Sequence, residues 1–139
     1  EGTSNNKTSC YWFVRRSSDD YLIGTAGLLN LDYGRKSIEW GYGVDPELWG
    51  TGYVLQIQEC LKNFVFEVLE LNRLHGITMV NNYRTIESVT ASGAKKEGTI
   101  RDFYYKHGEF IDGWQYSIIA EDYFHQKSIS NMKKIYQWI

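Results

Sequence analysis

The chain has 139 residues, with 15 basic and 17 acidic side chains and a net charge of −2. That length suits one domain around a single core rather than two domains, and with no long basic run there is no dedicated nucleic-acid surface to expect. Cys10 and Cys60 lack metal-ligand or redox spacing, and no run of about 18 apolar residues or secretory leader is visible, so the expectation is free thiols, no metal, no membrane and a cytoplasmic setting.

Residues 1–10 begin with the polar run EGTSNNKTS and read as a tail or linker. A strand is predicted over 11–16 (YWFVRR), a turn at Ser17-Ser18-Asp19-Asp20 and a second strand over 21–31, apolar enough to be buried on both faces. After the turn 32–35, SIEWGYGV over 37–44 is a third strand, and the three form an antiparallel meander. Val54, Ile57, Leu61, Phe64, Val65 and Val68 recur at spacings of three and four, which predicts a helix over 51–69 lying along the sheet. A strand over 74–80, a shorter helix over 82–92 stopped by Gly93 and a strand over 96–105 make a crossover unit. The last strand, 113–120, follows a turn at 106–109. Residues 121–139 form a terminal helix.

Between the third strand and the long helix lies Val44-Asp45-Pro46-Glu47-Leu48-Trp49-Gly50-Thr51-Gly52-Tyr53-Val54. Gly50 and Gly52 allow unusual backbone dihedrals and close approach, and the first N–H groups of the helix lack partners at its positive end. Two readings remain open: an anion site for a phosphate or pyrophosphate, or a glycine start required only by sterics. No Lys-Ser/Thr pair follows the glycines as a triphosphate-binding loop requires.

The order of meander, glycine turn, long helix, strand, short helix and hairpin resembles the GNAT superfamily of acyl-CoA N-acyltransferases, and its details resemble the RimJ/RimL-like branch. The resemblance covers roughly residues 21–124 and rests on four groups of residues. These are Glu39-Trp40-Gly41-Tyr42; Pro46 through Gly50, Thr51, Gly52 and Tyr53; Asn82 to Thr85, reaching Gly93; and Glu97-Gly98-Thr99-Ile100-Arg101 with Gly108, Asp112 and Tyr116-Ser117. It implies an α/β (α+β) fold, a mixed, mostly antiparallel sheet with helices on both faces. The domain would span 11–124, with a helical extension over 125–139. The segment before residue 11 is too short for the family's first strand and paired helices. The expectation is therefore a chain truncated at its N-terminus, or an acceptor wall supplied by another element.

The resemblance also implies acetyl-CoA as co-substrate and an amine as acceptor, with direct attack in a ternary complex. The amine would belong to a protein N-terminus or to a small molecule such as an amino-sugar. The rival reading is a noncatalytic acyl-CoA-binding or interaction module, and a homodimer is left open. Backbone N–H groups of Gly50, Thr51, Gly52, Tyr53 and Val54, beside Trp49, would cradle the pyrophosphate. Tyr42, Gly43 and Val44 would hold the pantetheine arm, and Asn82 would hydrogen-bond the cofactor. Glu47 stands where the family has Gln or Arg, and Gly93-Ala94 where it often has Gly-Phe.

Acetyl transfer to nitrogen needs a neutral amine, which costs roughly 4.6 kcal/mol at pH 7 for a lysine but only about 1 for an α-amine. Glu39, on the strand entering the turn, is either the general base or a strand residue paired with Arg35 or Lys36. A backbone N–H at the Tyr42-Gly43-Val44 end of that strand is the candidate oxyanion donor. Many members carry a Tyr where this chain has Val89, so the general acid lies elsewhere. Thr85 is a proton donor or only a first-turn residue; Tyr104 and Tyr116 are further general-acid candidates or packing aromatics, and Tyr104 is also a candidate on the substrate side. Asp112 either receives a cationic amine or caps a turn. His75, His107 and His125 have no partner at motif spacing and read as surface or packing residues.

Overall fold

The computed structural model describes residues 8–138, so residues 1–7 of the predicted polar tail and residue 139, the last position of the predicted terminal segment, lie outside the described part. The strands are β1 (Cys10–Arg15), β2 (Leu22–Asp32), β3 (Ser37–Val44), β4 (Arg73–Met79), β5 (Lys95–Lys106) and β6 (Glu109–Ile119). The helices are α1 (Tyr53–Asn63), α2 (Tyr83–Ala91) and α3 (Ala120–Trp138). A 3-10 turn, Pro46–Leu48, precedes α1, and a π-helical turn, Phe64–Val68, continues it. Every predicted element exists, with boundaries displaced by a few residues at most ends.

One six-stranded sheet runs in the order β1-β2-β3-β4-β6-β5. β1, β2 and β3 form the expected antiparallel meander, and β4 pairs with β3 in parallel and with β6 antiparallel. The crossover from β4 through α2 to β5 skips one position, which β6 fills on its return. The mixed, mostly antiparallel sheet is thus the one the resemblance implies.

Helix placement differs from expectation. Ile57, Leu61, Val65, Phe66, Val89 and Tyr123 share one core with Leu28, Ile38, Trp40, Leu74 and Ile118. Lys62 Nζ of α1 donates to the Ser92 carbonyl at the end of α2 at 2.9 Å, and the Tyr123 hydroxyl of α3 bonds Asn63 and Glu67. The three helices therefore make one layer on one face. Among the described residues no helix covers the other, and Tyr11 and Phe13 stand 71% and 74% exposed there. β2 is likewise buried on both faces only around Ala26-Gly27-Leu28, while Leu22 is exposed.

The long helix starts at Tyr53 rather than at residue 51, because Gly52 takes a left-handed conformation (φ 92°) as its N-cap. Its apolar stripe also shifts near the end. Leu69 N–H donates to Phe64 O, a five-residue step that rotates the following residues, so Phe66 is buried while Phe64 and Val68 are exposed.

Candidate active site

The glycine turn is built by its own side chains. Asp45 Oδ1 accepts the Glu47 N–H at 3.0 Å, and the Tyr21 hydroxyl donates to Asp45 Oδ2 at 2.9 Å. Gly50 and Gly52 have φ of 83° and 92°, and a Cβ at either would meet nothing within 4 Å, so conformation rather than space requires glycine. Among the described residues, the N–H groups of Gly50, Gly52, Tyr53 and Val54 find no backbone acceptor at the positive end of α1, an arrangement suited to an anion. Thr51 departs from the expected cradle. Its N–H and its hydroxyl both turn inward onto the Leu48 carbonyl.

Beside the turn lies a cavity of about 400 Å³ between the end of β3, the start of α1 and the first turns of α2. Of the expected cofactor residues, Tyr42, Gly43, Val44, Trp49, Gly50, Gly52, Val54 and Asn82 line it, as does Thr85. Tyr53 instead faces a separate groove on the far side of α1. Arg84 closes one wall with its guanidinium 4.5 Å from the Trp49 ring centroid, and Trp49 Nε1 is held on the Val44 carbonyl at 3.1 Å. The wall of the cavity thus carries a cation, while Glu47 is not among its lining residues.

Asn82 is the N-cap of α2. Its Oδ1 accepts the Thr85 N–H at 3.3 Å and its Nδ2 donates to Thr78 Oγ1 at 3.1 Å, so its amide is first of all a helix start. Behind the cavity the fully buried Gln58 donates from Nε2 to the Tyr42 hydroxyl and to Ser88 Oγ, each at 2.7 Å. Burial raises the Tyr42 hydroxyl above the usual tyrosine value, so it keeps its proton at neutral pH.

β3 and β4 are paired only at Ser37–Arg73, Ile38–Leu74 and Glu39–His75. Beyond Glu39 they diverge, leaving the β4 side of Trp40–Val44 without a strand partner. A strand-like ligand can lie along such an edge. Where the strands part, Trp40 Nε1 donates to the Tyr116 hydroxyl at 2.9 Å in the core.

Glu39 sits on the uncovered face at the last paired position. Neither Arg35 nor Lys36 is its partner: Asn30 Nδ2 donates to Glu39 Oε1 at 3.1 Å, while Arg35 pairs with Asp32 at 3.9 Å. Register aligns Glu39, His75 and Ser117 in one row across three strands. His75 is held below the ordinary histidine value by burial first and by Arg73 second, against the attraction of Glu39 and Glu97. Glu97 is drawn down to about 2 by two hydrogen bonds from Arg73, at 2.6 and 2.7 Å, opposed by burial and helped by the Ser117 hydroxyl. His107 and His125 are exposed, but His75 is half-buried beside the candidate base.

The hairpin residues divide. Tyr104 is half-buried and raised by burial and by the negative charge of Glu39, which places its hydroxyl within that carboxylate's field. Tyr116 belongs to the core. Asp112 Oδ1 accepts the Asp102 N–H at 2.8 Å, where Asp102 has φ 52° in the irregular stretch of β5, so its carboxylate caps a bulge.

Arg84, Gln58, Ser88 and His75 are absent from the sequence-based site. A signal existed for Gln58, since Val54, Gln58, Leu61 and Val65 are spaced four, three and four apart and put an amide in the buried stripe. None existed for His75, whose neighbour is set by strand register. Among the described residues no group of three or more His, Cys, Asp or Glu side chains could hold a metal, and no helix is long and apolar enough to cross a membrane.

A sequence model of the Acetyltransferase (GNAT) domain matches residues 2–95. The chain is 28% identical over 113 residues to an uncharacterized N-acetyltransferase, YoaA, of Bacillus subtilis (strain 168), covering 81% of this chain and 64% of that protein. It is 31% identical over 105 residues to a putative ribosomal N-acetyltransferase, YdaF, of the same strain, covering 76% and 57%. The chain thus spans roughly three-fifths of the length of these relatives. In fold it is similar to a spermidine N-acetyltransferase from Vibrio cholerae crystallised with CoA and spermine, with a TM-score of 0.79, 21% identity and coverage of 88% and 72%.

Proposed function

The chain belongs to the GNAT acetyltransferase family, and from that premise we propose that it binds acetyl-CoA and transfers the acetyl group to a primary amine by direct attack in a ternary complex. The observation that carries this reading is the parting of β3 from β4 at Glu39, with the glycine turn and its cavity at the far end of the unpaired edge. In this reading the pyrophosphate takes the free N–H groups of Gly50, Gly52, Tyr53 and Val54, with Arg84 supplying charge. Tyr42, Gly43 and Val44 line the arm, Asn82 offers its remaining amide proton, and Thr85 lies alongside as a proton relay. The amine approaches from the uncovered face, where Glu39 takes its proton and Tyr104 flanks it. The new N–C bond forms as the C–S bond breaks, and the second proton, released by the acylated nitrogen, neutralises the departing thiolate as a thiol.

For the acceptor we take a protein N-terminal α-amine, which needs little help to lose its proton. The relative described as a putative ribosomal N-acetyltransferase supports that choice. A polyamine is the second reading, favoured by the fold likeness to the spermidine enzyme.

Thermal shift with coenzyme A and acetyl-CoA tests the first half, and stabilisation by both is expected. No shift with either at millimolar ligand removes the cofactor reading. Thiol release is then followed with N-terminal peptides, polyamines and amino-sugars. Turnover of the peptides is expected, and binding with no turnover for any amine replaces the transferase with a noncatalytic acyl-CoA module. Glu39→Gln is expected to lower turnover at neutral pH about a hundredfold with cofactor affinity nearly unchanged. Equal rates for both forms between about pH 6 and 9 would remove Glu39 as base.

A further inference from the structure

Gln58 is fully buried on α1, yet its amide reaches two other elements: Nε2 donates to the Tyr42 hydroxyl of β3 and to Ser88 Oγ of α2, each at 2.7 Å. Tyr42 and Ser88 both line the cavity beside the glycine turn. An amide nitrogen has two protons and no acceptor capacity, so both hydroxyl oxygens must receive there. Each hydroxyl then keeps its own proton for another acceptor. The Gln58 Oε1 is buried with no donor among the described residues, an expense that calls for an explanation. Reversing the amide would instead let Oε1 receive both hydroxyl protons and leave neither for the cavity.

We propose that Gln58 is a positioning residue that turns the Tyr42 and Ser88 hydroxyl protons into the cavity, where they donate to acceptor atoms on the pantetheine arm of a coenzyme A thioester. The inference rests on the cofactor reading above. It accounts for two polar side chains, Gln58 and Ser88, meeting between α1 and α2. The ligand class follows from the geometry: two hydroxyl donors suit a neutral, acceptor-bearing chain, while the phosphates are served by N–H groups and Arg84 at the other end.

Affinity is measured calorimetrically for two probes, coenzyme A and 3′-phospho-ADP, its nucleotide part without the arm. Gln58→Glu keeps the size of the side chain but reverses its role. Ionised, it accepts from both hydroxyls, and neutral, it can donate to only one, so at least one hydroxyl proton is drawn inward. The expected result is coenzyme A binding weakened about tenfold with 3′-phospho-ADP within twofold of the parent. Tyr42→Phe and Ser88→Ala, which leave Gln58 in place, should each weaken coenzyme A several-fold and spare 3′-phospho-ADP. Tyr42→Phe should add less in the Gln58→Glu background than alone.

Unchanged coenzyme A affinity in Gln58→Glu overturns the proposal, because an amide that receives the hydroxyl protons is replaced by a carboxylate without loss. Equal weakening of both probes also overturns it, since that is the mark of a structural role. If Gln58→Glu does not fold, unchanged coenzyme A affinity in both Tyr42→Phe and Ser88→Ala overturns it. A parent protein that binds neither probe removes the cofactor reading itself, a distinct outcome.

Discussion

At the scale of single residues, the site depends on contacts that allow almost no added volume. Gly76 on β4 lies beneath the Tyr116 hydroxyl and 3.2 Å from Trp40 Nε1, measured from where a Cβ would stand. Tyr116 is only 4% exposed and Trp40 likewise, so neither ring can retreat. Gly76→Ala is therefore expected to destabilise the fold by about 1–3 kcal/mol and to break the Trp40–Tyr116 hydrogen bond where β3 and β4 part. Urea unfolding reads the loss directly. An unchanged midpoint would mean that the strands shift at no cost, contrary to a close-packed junction.

At the scale of elements, two helix starts form the cavity and each is fixed by different chemistry. α1 begins at a left-handed glycine, with no side chain to cap it, and so offers its N–H groups to a ligand. α2 begins at Asn82, whose side chain caps the helix and also reaches Thr78. Asn82→Ala should cost about 1 kcal/mol through the lost cap, while Asn82→Asp should retain most of that because a carboxylate still accepts the Thr85 N–H. Thermal unfolding of the two variants checks the order, and equal losses would deny the cap its role. The glycine turn and the start of α2 at Asn82 were both legible in sequence as places in the chain, because turns and helix starts are local, but the cap that Asn82 makes was not read there. The π-helical turn was not legible either. Its extra residue per turn exposes Val68 and buries Phe66, and a stripe counted at ordinary helical spacing cannot anticipate that shift.

At the scale of the molecule, the uncovered face links stability to pH. Glu97 is drawn from an ordinary 4.5 to about 2 by Arg73, and His75 is pushed below 6.5 chiefly by burial. Both shifts lower the folded-state value, so in acid the unfolded chain binds more protons and stability rises with pH. The histidine contribution is complete above 6.5 and is lost as pH falls through its lower folded value, whereas the Glu97 contribution is complete above 4.5 and is lost toward 2. Urea midpoints are thus expected to fall below about pH 6.5 and more steeply below about pH 4.5. Glu97→Gln should flatten the lower limb and leave the upper one to His75. An unaltered acid profile in that variant would show that the Arg73–Glu97 pair contributes nothing.

Local chemistry set what the sequence by itself determined: the six strands, the helix starts, the turn glycines and the motif spacing that identifies the family. Apart from the order of the motifs, which spans most of the chain, each of these depends on residues close together in sequence, where side-chain periodicity and backbone preference act directly. Tertiary structure decided which groups meet. It placed Glu39 beside His75 and Asn30 instead of Arg35 or Lys36, set Arg84 on Trp49, gathered the helices on one face, and brought Gln58 between Tyr42 and Ser88. Those pairings arise from strand register and helix packing between distant segments. No short stretch of sequence contains the partner.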